Sequence, residues 1–453
     1  MLAILALALT LRMGWPTLAE FKRDEAKVVR AALAIAYEGD LPVEGVAASI
    51  AVSNLPLFLY LMAIPLRLCR DPVAAVLCVG FLNGVAVWAC YVFGRTCFGR
   101  TAGLIAAFLV AVSPWAVVYG RKIWSQNLPL VTLAFFAALS AALVRGKRWA
   151  LVGACIALAA LVGLHLGGLA FVPILLLALL LYRRQVAWKP LLVGGVFCIL
   201  ALAPYVIHDA RHGWRNVQGL LRYGSGEAQY SWDALRYAFS LTGSTGIEEM
   251  AGSLYREYLA GLPNLWWLNG AMMGLLGAAL VYAVALVVRG PQERRRVVSL
   301  LLLWFFVPVT LQTRHTAPVQ RHYFILLYPV QFLLIAIMLA DLLAYCRARL
   351  AQAYRFAVMT LVILLLVWGV WQVAVVGRVF AFMAQHPTTG GYGIPLRYPR
   401  LAAQAAQRLA GDSEIIVLGM GMDPLFDETP AVFEALLFGH PHRFADGRWA
   451  LPL

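Results

Sequence analysis

The sequence predicts an all-α polytopic membrane protein, a bundle of about eleven transmembrane helices followed by a small α/β segment. Three observations lead there. Of 453 residues, 62% are hydrophobic and 13% charged, where soluble domains carry about 25% charge. Apolar runs long enough to cross a bilayer, about 17–25 residues each, recur along the chain. The basic residues fall in alternate loops. With a mean hydropathy of +0.77, these features exclude an ordinary soluble enzyme, a disordered regulator and a nucleic-acid-binding module.

The expected spans are 72–93, 102–119, 128–144, 149–166, 167–182, 190–208, 265–288, 297–313, 322–344 and 356–377, with 1–11 as the end of a first one. A tight reversal at His165-Leu166-Gly167-Gly168 separates the fourth and fifth of these. Residues 54–66 are apolar but short and hold Pro56 and Pro65. Charge sets the parity. If 54–66 does not cross, alternate short loops carry fifteen basic residues against one acid, Glu293. The opposite side is balanced: 12–71 hold seven basic and seven acidic residues, 209–264 five and six, and 378–453 six and seven. The formal charge of +15 is then a topology signal with a cytoplasmic N-terminus and no need of nucleic acid. The loops 12–71 and 209–264 and the segment 378–453 are expected outside, and 54–66 at the interface. The domain expectation is a membrane catalytic domain over 1–377 and an extracytoplasmic α/β segment over 378–453.

Residues 1–11 cover about 16 Å as a helix, half of a hydrocarbon core. A signal peptide needs a basic n-region, which Met1-Leu2-Ala3 lacks; a start placed too late or a trimmed chain is the expectation. The tail, ending in RWALPL, is expected to continue. The cysteines, Cys69, Cys78, Cys90, Cys97, Cys155, Cys198 and Cys346, avoid 209–264 and the tail and show no zinc spacing.

The outer loops hold the polar chemistry. In the first, Val28, Val29, Ala32, Leu33 and Ala36 recur with helical period before Gly39. This predicts an amphipathic helix on the membrane surface, with Asp24 and Glu25 in its first turn. Acids there also offset a helix dipole, which is the plain structural explanation. The second loop, SPWAVVYGRKIWSQNLP, gathers Arg121, Lys122, Gln126 and Asn127. Arg121 and Lys122 fit snorkelling, and Trp115 and Trp124 an aromatic belt, yet a net-positive short outer loop breaks the charge pattern and points to an anion. The loop QTRHTAPVQRHY adds Arg314 and Arg321 without an acid. Guanidinium forks suit phosphate oxygens, so Arg121, Lys122, Arg321 and Arg314 are the expected phosphate ligands. His165, His315 and His322 share this face; each is more simply a hydrogen-bonded side chain than a metal ligand. Residues 209–264 carry Trp214, Tyr223, Tyr230, Trp232, Tyr237 and Phe239 and read equally as a lid or as surface helices. The tail reads as helix (PRLAAQAAQRLAG), strand (SEIIVLG) and a helix around 430–438.

The fragments RDEA (23–26), SNLPLFLYLMAIP (53–65), FGRTAGLIAAFLVAVSPWAVVYGRKIWSQNLP (98–129) and RHYFILLYPVQFLL (321–334) resemble the GT-C glycosyltransferases. The branch is that of the dolichyl-phosphate-mannose protein mannosyltransferases and the bacterial lipid A aminoarabinose transferases. The resemblance covers most of the membrane part and none of the tail. It implies a polyprenyl-phosphate-linked sugar as donor, an extracytoplasmic acceptor, and a multi-pass protein of the cell membrane. It makes Asp24 the catalytic carboxylate with Glu25 adjacent, and 53–65 a surface-lying segment. Asn54, Tyr60, Gln126, Asn127, His165, His322 and Tyr323 become candidate substrate contacts. Many relatives carry an acid after the Arg of the second outer loop where this chain has Gln126 and Asn127, so a second catalytic acid or metal site is not carried over. Metal dependence stays open, with Mg²⁺ or Mn²⁺ as the cations for oxygen ligands. One carboxylate as base and basic residues at the leaving phosphate suffice for a single inverting displacement. The competing readings are a transporter or flippase of lipid-linked glycans, a non-catalytic membrane scaffold, and an O-antigen ligase or polymerase. The first wants acids inside the spans, where only Asp341 lies, at a span end.

Overall fold

The computed structural model describes residues 1–48, 52–388 and 390–450. The chain is helical almost throughout. The helices that position the site are α1 (Leu2–Met13), α2 (Arg23–Leu33), α3 (Leu57–Leu68), α4 (Val73–Phe98), α5 (Arg100–Val112), α6 (Pro114–Tyr119), α7 (Pro129–Leu143), α8 (Ala150–Leu164), α9 (Phe171–Leu181) and α10 (Trp188–Arg211). They are followed by α11 (Arg215–Ser225), α12 (Asp233–Ser240), α13 (Tyr255–Ala260), α14 (Trp267–Arg289), α15 (Gln292–Thr313), α16 (Val330–Arg349), α17 (Ala351–Met383), α18 (Arg397–Ala410) and α19 (Glu428–Leu436).

Among the described residues, six helices are long and apolar enough to cross a membrane unaided: α4 with Pro72, α10, α14, α15, α16 and α17. The other five expected spans exist as apolar helices of 11 to 15 residues, α1, α5, α7, α8 and α9. Local chemistry explains their shortness. The α5 run expected over 102–119 breaks at Ser113-Pro114, where proline opens α6 and the Ser113 hydroxyl caps the Ala116 N–H. The span expected over 322–344 starts at Val330 instead, with Pro329 at its N-cap, and Arg321–Leu327 is a separate 3₁₀ turn. Helix α17 continues to Met383, six residues past the expected boundary.

The basic loops gather at one end of the bundle. Arg145 donates to the Thr96 carbonyl and lies 4.0 Å from Glu293, Arg294 pairs with Asp341 at 2.8 Å, and the Tyr182 hydroxyl bonds Ser299. Small residues let helices meet along the bundle. A Cβ on Gly80 would stand 2.6 Å from the Arg12 carbonyl oxygen of α1, and one on Gly103 of α5 would stand 2.6 Å from the Tyr91 oxygen of α4. The main apolar core runs through α5, α7, α8, α15, α16 and α17.

A second apolar cluster lies at the opposite end, and it corrects the surface-helix expectation for loop one. Val28, Val29, Ala32 and Leu33 of α2 are buried against Phe58, Leu59 and Met62 of α3 and Ala431, Val432 and Ala435 of α19. The apolar face of α2 is thus covered by protein. The helix widens into a π turn over Ala34–Glu38 and ends at Gly39, φ 76°. The tail packs on this same helix and holds one unpredicted element: β3 (Ile415–Gly419) pairs in parallel with a second strand, β4 (His442–Asp446), with α19 as the crossover. A two-residue antiparallel pair, β1 (Gln229–Tyr230) with β2 (Arg314–His315), ties 209–264 to the C-terminal end of α15.

Candidate functional site

The first turn of α2 separates its two acids. Glu25 is buried and Asp24 is exposed, their side chains 1% and 59% accessible. The Lys22 N–H donates to Glu25 Oε2 at 2.9 Å, closing the helix start. Glu25 Oε1 lies 3.2 Å from Lys122 Nζ. Glu20, which the sequence reading did not single out, lies 2.9 Å from Lys122 Nζ and 3.0 Å from Lys22 Nζ. Two lysines and two glutamates therefore form one enclosed, charge-balanced cluster. Burial alone disfavours the Lys122 ammonium, but the two carboxylates outweigh it and push its pKa up, so it stays protonated. Burial raises the Glu25 carboxyl, and the Lys122 ammonium pulls against that rise. Asp24 lies 3.9 Å from Arg23, and Arg23 itself donates to the Phe426 carbonyl of the tail.

Lys122 also stands 3.4 Å above the Trp124 ring, the cation–π geometry. Trp124 meets His322 edge-on at 4.8 Å and stacks through Tyr119 on Trp115. Neither Trp115 nor Trp124 forms an aromatic belt; Trp115 is fully buried and donates to the Thr245 carbonyl. His322, outside α16, has its pKa pushed down to about 3, first by burial, then by Lys122 and His165, so it is neutral at ordinary pH. Tyr323 meets His322 edge-on. His165 accepts the Gly167 N–H at 2.9 Å.

The other expected phosphate ligands are committed elsewhere. Arg121 donates to the carbonyls of Leu11, Gly14 and Trp15 and stacks on Phe380 at 4.3 Å. It closes the C-terminal end of α1, where a cation offsets the helix dipole, so the structure places it as a cap. Buried Arg12 does the same for α5, donating to Val110 and Ala111. Arg321 is clamped bidentately by Glu249 at 2.7 and 2.9 Å over the Trp115 ring. Arg314 is exposed and donates to the Gly224 carbonyl, apart from the lysine cluster.

The structure places three expected substrate contacts as loop supports. Asn54 joins the Val46 carbonyl to the Leu166 N–H, Tyr60 donates to the Pro42 carbonyl, and Asn127 donates to the Tyr119 and Lys122 carbonyls. In each, a polar side chain satisfies backbone groups its own loop leaves unpaired. Gln126 is half-buried beside them. The second half of 209–264 is a packed cap, with Ala234, Ala238, Leu241 and Ile247 buried. No three His, Cys, Asp or Glu side chains cluster as a metal site among the described residues. All seven cysteines are free.

Comparison with known proteins follows the same lines. Residues 53–208 match the family described as dolichyl-phosphate-mannose-protein mannosyltransferase. No curated protein sequence matches. Among solved structures, the fold is similar to that of ArnT from Cupriavidus metallidurans bound to undecaprenyl phosphate, at 14% identity and TM-score 0.60, over 98% of this chain and 85% of that one. It is also similar to the oligosaccharyltransferase of Archaeoglobus fulgidus in its apo form, at 14% identity and TM-score 0.55, over 99% of this chain and 64% of that one. The chain therefore shares its fold with ArnT and with the oligosaccharyltransferase, and residues 53–208 carry its similarity to the mannosyltransferase family.

Proposed function

We propose that the protein moves a sugar from a polyprenyl-phosphate donor to an acceptor on the extracytoplasmic side of the cell membrane, by a single inverting displacement with Asp24 as general base. The observation that carries the assignment is the division of labour in the first turn of α2. Glu25 is locked between the Lys22 backbone and Lys122, which leaves the adjacent Asp24 carboxylate exposed and open to an acceptor hydroxyl. Asp24 takes that proton as the acceptor oxygen bonds C1 of the sugar. The C1–O bond breaks, and its electron pair leaves with the polyprenyl phosphate. Negative charge grows on the leaving oxygen; Lys122, held beside the first turn of α2 by Glu20 and Glu25, offsets it when the donor phosphate takes the place of one of those carboxylates. The solved relative with the higher TM-score holds undecaprenyl phosphate, which supports a long-chain polyprenyl phosphate here. The gathering of basic loops at the far end of the bundle supports an outward-facing site.

The test is transfer from radiolabelled polyprenyl-phosphate sugars to envelope extracts by purified protein. Asp24→Asn keeps shape and removes basicity, and should cut turnover by about 10²–10⁴-fold with donor binding retained. Turnover near wild type in that variant eliminates Asp24 as the base.

A further inference from the structure

Helix α11 carries a face for which the protein supplies no cover. It follows α10, whose residues Ile199, Leu200, Val206 and Ile207 are exposed along a 24-residue apolar span. The chain turns sharply at Gly213 and Trp214, both at positive φ, 77° and 61°. The buried Asp209 carboxylate fixes the corner by accepting the N–H groups of Asn216 and Val217 at 2.8 and 3.1 Å. Helical spacing then divides α11 into three strips. Asn216, Leu220 and Tyr223 face the protein: Asn216 bonds Glu44 and Ser53, and the Tyr223 carbonyl accepts from Thr316. Trp214, Val217 and Leu221 form a second strip, open to the surroundings, with Leu221 66% exposed. Arg215, Gln218 and Arg222 form the third, also exposed.

We propose that α11 lies in the headgroup layer of the membrane and binds its anionic lipids. An exposed Trp–Val–Leu strip beside an arginine strip is the pattern of an interfacial helix. Apolar side chains enter the acyl boundary while guanidinium groups reach lipid phosphates. The surface continues the lipid-facing side of α10 without a break in the chain, and Arg211 at the corner adds to the same positive charge. The nearest exposed acid along the chain is Glu227, beyond the end of the helix. Trp232, 78% exposed after β1, is a further exposed aromatic side chain in the same segment. This assignment stands apart from the chemistry proposed above: it needs the protein to be in a membrane, whatever sugar it transfers.

The experiment places single nitroxide labels at Val217, Gln218 and Leu221 in full-length protein that lacks the native cysteines and keeps its wild-type elution profile. The protein is reconstituted in nanodiscs of phosphatidylcholine alone or mixed with phosphatidylglycerol. Collision with oxygen and with a water-soluble nickel chelate is read at each position. Labels at 217 and 221 should collide with oxygen and lose access to nickel, while 218 keeps it. Arg215→Gln with Arg222→Gln should abolish the deeper insertion that phosphatidylglycerol produces and leave the phosphatidylcholine reading unchanged. Nickel access at all three positions overturns the proposal. So does exclusion of both reagents at 217 and 221, which would put a protein surface, another chain or a second copy, where lipid is expected.

Discussion

Lys122→Met tests the charge cluster most directly. The substitution keeps the aliphatic stem and removes the ammonium from between Glu20 and Glu25, at 2.9 and 3.2 Å. Glu20 keeps Lys22 at 3.0 Å. Glu25 keeps only its backbone N–H donor and becomes an uncompensated buried carboxylate. Removing one partner of a buried ion pair costs about 3–5 kcal/mol, and the 7% exposure of Lys122 puts this case inside that range. Glu25→Gln should cost less, about 1–3 kcal/mol, because Lys122 retains Glu20. The double variant Lys122→Met with Glu25→Gln should recover about 1–3 kcal/mol of the single lysine loss, since no buried charge at 25 is then stranded. Reversible unfolding in mixed detergent micelles, followed by tryptophan fluorescence, gives the three values. A Lys122→Met protein as stable as wild type refutes the cluster. A double variant no better than Lys122→Met refutes Glu25 as the stranded partner.

Arg121→Gln should lower stability by about 1.5–3 kcal/mol, the value of charge-assisted bonds to the α1 carbonyls, and leave affinity for a soluble polyprenyl-phosphate analogue unchanged; weaker binding with stability intact would return Arg121 to the donor site. Gly80→Val and Gly103→Val place side chains against backbone of the neighbouring helix and should cost about 1–3 kcal/mol each, read in the same unfolding assay, whereas Gly195→Val, with open space around it, should change little. The clasp joining the tail to α2 should depend on pH. His442 sits above its ordinary 6.5 and Glu434 below its ordinary 4.5, each chiefly through their mutual hydrogen bond at 3.1 Å, and Arg30 holds the other Glu434 oxygen at 3.0 Å. The His442 contribution is complete below pH 6.5 and lost as pH rises through its raised pKa; the Glu434 contribution is complete above pH 4.5 and lost as pH falls through its lowered one. His442→Ala should therefore speed hydrogen exchange in α19 near pH 6, after correction for intrinsic rates, and have little effect near pH 9; an equal effect at both refutes the clasp.

Composition and hydropathy by themselves determined that the chain is a membrane bundle, because apolar runs must exceed a set length to cross a bilayer. Alternating charge determined which loops share an end, and the structure gathers those loops through Arg145, Glu293 and Arg294. The α2 helix, its stop at Gly39, the short α3 segment and the strand–helix character of the tail were also legible, since periodicity and glycine act locally. Partner choice was not. Arg121 and Lys122 are neighbours in sequence, yet one caps α1 and the other joins Glu20 and Glu25. Asp24 and Glu25 are neighbours too, yet only Glu25 turns inward. A charged side chain is recognisable in sequence, but whether backbone carbonyls, a carboxylate or solvent meets it depends on residues distant in the chain. Only the tertiary structure brings α1, α2 and the loop after α6 together, and so only it decided that Glu20 completes the cluster and that the tail, through α19, covers the apolar face of α2.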